Sequence, residues 1–396
     1  MATTTPKSVI LKPFLKFLRT EQASGVILIC CTVFSIIMAN SGAGEGYLEF
    51  WETHIGIYAG AFSLDHSILH WINDGLMAIF FLVVGMEIKR EVAQGELSSF
   101  KKALLPVIAA LGGMLVPALL YVLFNSGGAY QHGWGIPMAT DIAFALGVLS
   151  LLGGRAPMSL KVFLMALAVI DDLGAILVIA IFYNQGVVLP NLIIALGIFV
   201  LLLILNRLKV TSRIPYLLGG IVMWYFMHSS GIHATIAGVL LAFTIPMKSA
   251  DPGYSPLVEL EGNLHSFSSF FIMPLFALAN TAIVISGDLG EIFGSDLNHG
   301  IMAGLVFGKV IGIVGFTYLA AKTGIAVLPS KATFGKMAGL GFLGGIGFTM
   351  SIFISVLAFT EPEFQTEAKV SILAASLISG LLGFFILKNA SAGSEE

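Results

Sequence analysis

The run Ala166-Leu167-Ala168-Val169-Ile170-Asp171-Asp172-Leu173-Gly174-Ala175 places two adjacent carboxylates inside an apolar stretch that extends from about Met158 to Tyr183. About 20 such residues cross a bilayer as a helix, which puts the aspartate pair at mid-depth. An aspartate there costs roughly 2.5–3.5 kcal/mol on the insertion scale, so the pair must line water, an ion or a counter-charge.

The rest of the chain has the same character. Of its 396 residues 57% are hydrophobic and 11% charged, with a mean hydropathy of +0.94. A soluble domain carries about 25% charged residues, so the composition is that of an all-α polytopic membrane protein. A net charge of -3 and a pI near 6.2 supply no global basic field, which argues against a nucleic-acid partner. Cys30 and Cys31 are neighbours in an apolar run and read as packing residues, because a disulfide between adjacent residues is strained.

About twelve apolar runs follow one another, near 23–40, 70–92, 103–124, 134–153, 158–184, 188–206, 214–229, 231–247, 267–286, 299–320, 334–358 and 367–388. With that count, every one of the 20 Lys and Arg residues except Lys309 and Lys369 falls on the side holding the N-terminus. Such a bias places both termini in the cytoplasm. The chain reads as a single integral membrane domain over 1–396. Residues 1–22 are expected to form a cytoplasmic interfacial helix, with Ile10, Leu11, Phe14, Leu15 and Leu18 on one stripe and Lys12, Lys16 and Arg19 elsewhere. No A-x-A-like site follows the first apolar run, which is therefore read as a retained span. Residues 389–396 are a short cytoplasmic tail.

The external connection 41–69 holds short alternating runs around Gly60 that fit a β-hairpin. An isolated hairpin is marginal in water, so its edge suits pairing with a second subunit; a plain surface loop is the competing reading.

Two spans are interrupted. The fourth contains Gly133-Trp134-Gly135-Ile136-Pro137-Met138-Ala139-Thr140-Asp141, and the eleventh has five glycines between Gly339 and Gly347. Backbone in lipid must be bonded internally, so breaks at this depth border protein or a water-filled cavity. Matching interruptions in two triplets of spans point to an ion or substrate site where they cross. Asp141 in the fourth span and Lys309 in the tenth join Asp171 and Asp172 as intramembrane charges, which unmatched would cost roughly 10–14 kcal/mol. Adjacent helical residues point about 100° apart, so one aspartate can meet Lys309 while the other faces the cavity. An aspartate near facing helix N-termini and a lysine near facing C-termini would also offset the dipoles of the broken helices. A buried cluster that merely fixes packing is an uneconomical use of four charges.

Further candidates lie towards the span ends. Glu87 and Glu91, four apart, share a helix face, which suits either a cation-attracting funnel or an ordinary wet helix end, and Glu261 and His265 precede the ninth span, a histidine close to a carboxylate. His233, opening the eighth span on the outer side, is a further candidate, and Asp74 lies near the outer end of the second. The chain is read as having no cofactor and, for want of a ligand spacing such as H-x-x-x-H or C-x-x-C, no transition-metal site. It has no phosphate-binding loop either, since Gly308-Lys309 is followed by Val310.

At this point the residues resemble the bacterial NhaA-type sodium/proton antiporter family. The likeness runs from Ala23 onward and rests on Ala139-Thr140-Asp141-Ile142-Ala143-Phe144-Ala145-Leu146-Gly147, Ala168-Val169-Ile170-Asp171-Asp172-Leu173-Gly174-Ala175 and Gly345-Ile346-Gly347-Phe348-Thr349-Met350-Ser351-Ile352. It implies inverted repeats, two interrupted helices crossing at the membrane midplane, and a homodimer joined partly by the external hairpin. It also implies electrogenic, pH-regulated exchange of sodium or lithium for a larger number of protons, in a bacterial inner membrane. By motif position, Asp172 resembles the principal sodium ligand and Asp171 its partner, paired with Lys309 when no cation is bound. Asp141 and Thr140 resemble the residues at the crossing, and Glu87, Glu91, Glu261 and His265 the cytoplasmic funnel associated with pH regulation. Two positions depart from the family's pattern: Val310 stands where proline follows the lysine, and Gly262 where a histidine follows the funnel glutamate.

The chemistry agrees. A carboxylate can hold a proton or support sodium but does both poorly together, so competition at one alternately exposed site is antiport, not enzymatic catalysis. The alternatives are a transporter of an organic ion on the same scaffold, or an intramembrane aspartyl protease with Asp141 and Asp172 as its dyad. The protease reading lacks a G-x-G-D sequence and leaves Lys309 without a task.

Overall fold

A computed structural model describes residues 6–59, 62–184, 186–248, 253–285 and 289–392. Among them, 8 helices are each long and apolar enough to cross a membrane: 22–39, Ile68–Gln94, Phe100–Asn125, Gln131–Leu151, Met158–Phe182, Leu189–Arg207, Asp296–Lys322 and 362–390. A bent pair, Phe334–Gly344 and Phe348–Ala358, turns through 46° at its break. The shorter Ile214–His228 and Thr235–Thr244 and the composite segment Pro256–Phe267, Ser268–Ile272, Met273–Asn280 occupy the remaining places in the expected order of twelve.

Three corrections to the expected boundaries have physical causes. The ninth segment begins at Pro256, not near 267, because Ser255 caps it by accepting from the Val258 amide and proline occupies the first turn. Its first three turns are polar and invisible to a hydropathy count. Glu261 and His265 therefore sit on a helix, not before one. At the N-terminus a single helix, Pro6–Ala39, carries both the expected interfacial segment and the first span; residues 1–5 and the side chains up to Glu21, on which the amphipathic stripe was read, lie outside the described residues. At the other end the last helix runs Pro362–Ala392, so the expected tail is helical up to that point, and 393–396 lie outside the described residues.

The connection 41–69 contains a helix that the sequence did not announce, Gly44–Glu52, followed by strands β1 (His54–Ala59) and β2 (Phe62–Ser67). They pair antiparallel from His54 opposite Ser67 to Ala59 opposite Phe62, and residues 60–61 of the turn lie outside the described residues. The indole of Trp71 donates to the Ile55 carbonyl at 2.9 Å, tying the hairpin to the start of the second span.

Wider π-helical turns interrupt the second, ninth and tenth spans at Trp71–Leu76, Ser268–Ile272 and Ala303–Gly308. Such turns frequently mark functional sites, and one of them leads directly into Lys309.

The third and tenth spans, the first members of the two triplets, touch backbone to backbone. A Cβ on Gly112 would lie 2.3 Å from the Gly312 carbonyl oxygen, and one on Gly312 would lie 2.0 Å from that of Gly112. Small residues let membrane helices approach this closely where no hydrophobic effect drives them together.

Candidate cation site at the crossing of two broken helices

Each break is short. In the fourth span a tight 3-10 segment, Gln131–Met138, gives way to extended chain at Ala139–Asp141 before the helix resumes at Ile142. In the eleventh, Gly345–Gly347 separate the two half-helices. The chains cross at these points and satisfy each other's exposed backbone, as membrane depth demands. The Asp141 amide donates to the Ile346 carbonyl at 2.7 Å, and the Ser351 hydroxyl donates to the Ile136 carbonyl at 2.7 Å. Gly345 admits no side chain here, since its Cβ would meet the Leu305 carbonyl at 2.2 Å.

The charges sort themselves around the crossing by sign. Asp141 caps the half-helix beginning at Ile142 by accepting from the Phe144 amide at 3.0 Å. Its other oxygen accepts from the Thr349 amide at 3.2 Å and the Thr349 hydroxyl at 2.5 Å, in the first turn of the facing half-helix. One carboxylate thus meets two positive helix ends. Lys309 is at the opposite pole. It is fully buried, donates to the Met138 carbonyl at the end of the 3-10 segment, and lies 3.0 Å from the Thr140 hydroxyl and 2.6 Å from Asp171 Oδ2. Thr140 Oγ1 is also 2.8 Å from both Asp171 Oδ2 and the terminal Gly344 carbonyl of the first half-helix, one of which takes its proton.

Asp172 follows Asp171 on Met158–Phe182 but points elsewhere, lining a cavity of about 60 Å³ with Asp141, Thr349, Ser24, Glu87 and His265. That is room for a few waters or a partly hydrated cation. Asp172 is 2% exposed, and its Oδ1 has no hydrogen-bond partner among the described residues. The cavity wall offers carboxylate and hydroxyl oxygens, the donors a hard cation such as sodium takes.

The remaining expected site residues separate into two groups. Glu87 and His265 line the same cavity as Asp172. Glu91 is buried and joins Glu261 through Arg90, whose guanidinium meets Glu91 Oε1 at 2.7 Å and both oxygens of Glu261 at 2.9 and 3.1 Å. Arg90 reads in the sequence only as a topology marker, although its place between Glu87 and Glu91 was a usable clue. Its neighbour Lys89 donates to the Phe243 and Ile245 carbonyls at 2.7 and 2.6 Å, closing the C-terminal end of Thr235–Thr244.

His233 is not in this group. One ring nitrogen meets the backbone of Tyr183, and the carboxylate that acts on it is Asp74, thirteen residues and about 20 Å along the second span from Glu87 at 1.5 Å per residue. The carboxyl of Asp74 is itself held at 3.3 Å by Nδ1 of His228 and at 3.4 Å by Nε2 of His70. Three histidines converge here: His66, His70 and His228. The first two stand in the sequence as His66-Ser67-Ile68-Leu69-His70, an H-x-x-x-H spacing that overturns the reading of a chain without transition-metal ligand spacing.

A bundle of apolar spans in which two broken helices cross beside buried opposite charges defines a polytopic membrane transporter. The model of the family described as Na+/H+ antiporter 1 matches residues 15–387, and the chain belongs to that family. It is 53% identical over 375 residues to a protein of Flavobacterium psychrophilum named Na(+)/H(+) antiporter NhaA, covering 95% of each chain. It is also 53% identical over 379 residues to the protein of that name from Dechloromonas aromatica, again 95% of each. A Clostridium beijerinckii protein named Na(+)/H(+) antiporter NhaA 2 is 50% identical over 386 residues, 96% of this chain and 95% of its own.

Proposed function

We propose that this protein exchanges sodium or lithium ions for protons across a bacterial inner membrane, by competition at Asp172 and Asp171. Family membership supports sodium/proton antiport; the observation that carries the mechanism is the division of labour between adjacent carboxylates. Asp171 is neutralised by Lys309 at 2.6 Å, whereas Asp172 faces a cavity with room for a partly hydrated cation and has an oxygen with no hydrogen-bond partner among the described residues. A carboxylate so placed takes either a proton or a cation. A cation that draws Asp171 into its coordination shell separates it from Lys309. More than one proton exchanged for each singly charged ion would make the exchange electrogenic.

Glu87, Glu91, Glu261 and His265 then form a cytoplasmic funnel whose charge sets the local potential at the cavity mouth. The Lys and Arg bias supports cytoplasmic termini. A homodimer through the hairpin is favoured by its two-stranded isolation and by β1, on which Ile55 and Ile57 are both exposed. The protease alternative is disfavoured further by Asp141, whose carboxylate is engaged by Phe144 and Thr349.

The deciding experiment is purified protein in vesicles with an internal pH dye, challenged with sodium, lithium and potassium salts over a range of pH. Sodium-driven proton movement supports the reading. Its absence at every pH, with intact protein in the vesicles, sinks it.

A further inference from the structure

The histidine cluster lies at the end of the bundle away from the funnel, and nothing in the exchange mechanism uses it. His66 is the second-last residue of strand β2, His70 ends the single helical turn Ile68–His70, His228 is the last residue of the seventh span, and Asp74 lies in the π turn of the second. Four elements thus bring their ligating groups to one point. A ligand nitrogen from each of the three imidazoles lies within 4.8 Å of the other two. His66 Nε2 and His228 Nε2 are 3.2 Å apart. Two nitrogens bound to one tetrahedral zinc at about 2.05 Å stand about 3.3 Å apart, so this pair already has the spacing of a coordination edge.

The surroundings fit as well. Asp74 Oδ2 touches His228 Nδ1 and is near His70 Nε2, the arrangement in which a carboxylate orients metal-bound imidazoles. His70 Nε2 is buried and makes no hydrogen bond of good geometry among the described residues, its contact with Asp74 Oδ2 being 3.4 Å long. Trp224 stacks on His228 and Trp71 on Trp224, walling one side with aromatic surface. A bare histidine stack would have to place a proton between facing nitrogens and still leave the third ring unsatisfied.

We propose that His66, His70 and His228, oriented by Asp74, bind one divalent transition-metal ion, zinc by preference, which clamps the base of the hairpin to the second and seventh spans. Three imidazoles with a carboxylate behind them suit zinc or copper(II) and offer little to magnesium or calcium.

The test uses the full-length protein in detergent, with zinc chloride as probe. Calorimetry should give one zinc site per chain and a raised melting temperature, with no such response to magnesium. His66→Ala and His228→Ala should each weaken zinc binding tenfold or more. Crystals of the unaltered protein grown with zinc should show an anomalous peak at the zinc edge among the three imidazoles, a readout independent of whether any variant folds. Undiminished one-to-one binding in the His66→Ala, His228→Ala double variant would overturn the site, as would an anomalous map at saturating zinc with no peak there.

Discussion

Asp171 and Lys309 form an ion pair 2.6 Å long in which neither side chain is exposed to solvent. Removing one partner from such a pair leaves an uncompensated buried charge, worth about 3–5 kcal/mol. Lys309→Ala should therefore lower the melting temperature in detergent and abolish normal exchange together. Lys309→Ala combined with Asp171→Asn should recover part of the lost stability, because the orphaned charge goes too. Melting curves of the two variants and the unaltered protein check this; equal melting of Lys309→Ala and the unaltered protein would mean that water reaches the amine.

Asp172 has the opposite expectation. Its carboxylate lines the cavity and its Oδ1 has no hydrogen-bond partner among the described residues, so Asp172→Asn removes a desolvated charge without breaking a pair. Sodium-driven proton movement should fall to the background of protein-free vesicles while the melting temperature stays level or rises. Ordinary exchange rates in that variant would take Asp172 out of the site.

Competition fixes the sign of the pH dependence. A proton on Asp172 excludes sodium, so apparent sodium affinity should weaken as pH falls, and each binding event should release protons. Calorimetry in buffers of different ionisation enthalpy measures both. Binding heats independent of the buffer, with constant affinity, would rule out a shared site.

The hairpin carries its own pH response. The Tyr58 hydroxyl, donating at 2.8 Å, and then His54 hold the Asp65 carboxyl below the usual carboxylate range. A lowered value in the folded state contributes stability above the ordinary value, which is lost as pH falls through the lowered one. Tyr58→Phe should bring the Asp65 titration back towards the ordinary range, followed by carboxyl NMR. The pair is exposed, so the change in overall melting should be slight.

Gly312→Ala should destabilise the bundle, because its Cβ would lie 2.0 Å from a backbone oxygen that has no rotamer to change. Gly315→Ala on the same helix meets nothing within 4 Å and serves as the control. Similar melting of the two variants would mean that the spans are further apart than described.

What the sequence disclosed follows from which forces act locally. The bilayer penalises every buried charge and every unsatisfied amide, so Asp141, Asp171, Asp172, Lys309 and the glycine-rich breaks stand out against apolar neighbours. The start of the ninth segment was hidden because Ser255 and Pro256 set it by capping, where hydropathy gives no mark. The π turns were hidden because they depend on packing between helices. Arg90 and Lys89 looked like membrane-edge cations, and only the fold supplies the carboxylates and helix end they meet. The histidine cluster combines a short spacing, His66 to His70, with His228, some 160 residues away, and that convergence exists only in three dimensions.

The contact between Gly112 and Gly312 has a consequence for how the two halves can move. With no layer of side chains between these helices, there is nothing at that point to repack, and axial sliding of one past the other would drive a carbonyl into the adjacent Cα hydrogens. Rolling about the contact costs much less. The pair acts as a fulcrum whose height in the bundle is set by backbone geometry alone, so a rocking motion would be levered there and have its largest amplitude at the rims, with little at the charges close by.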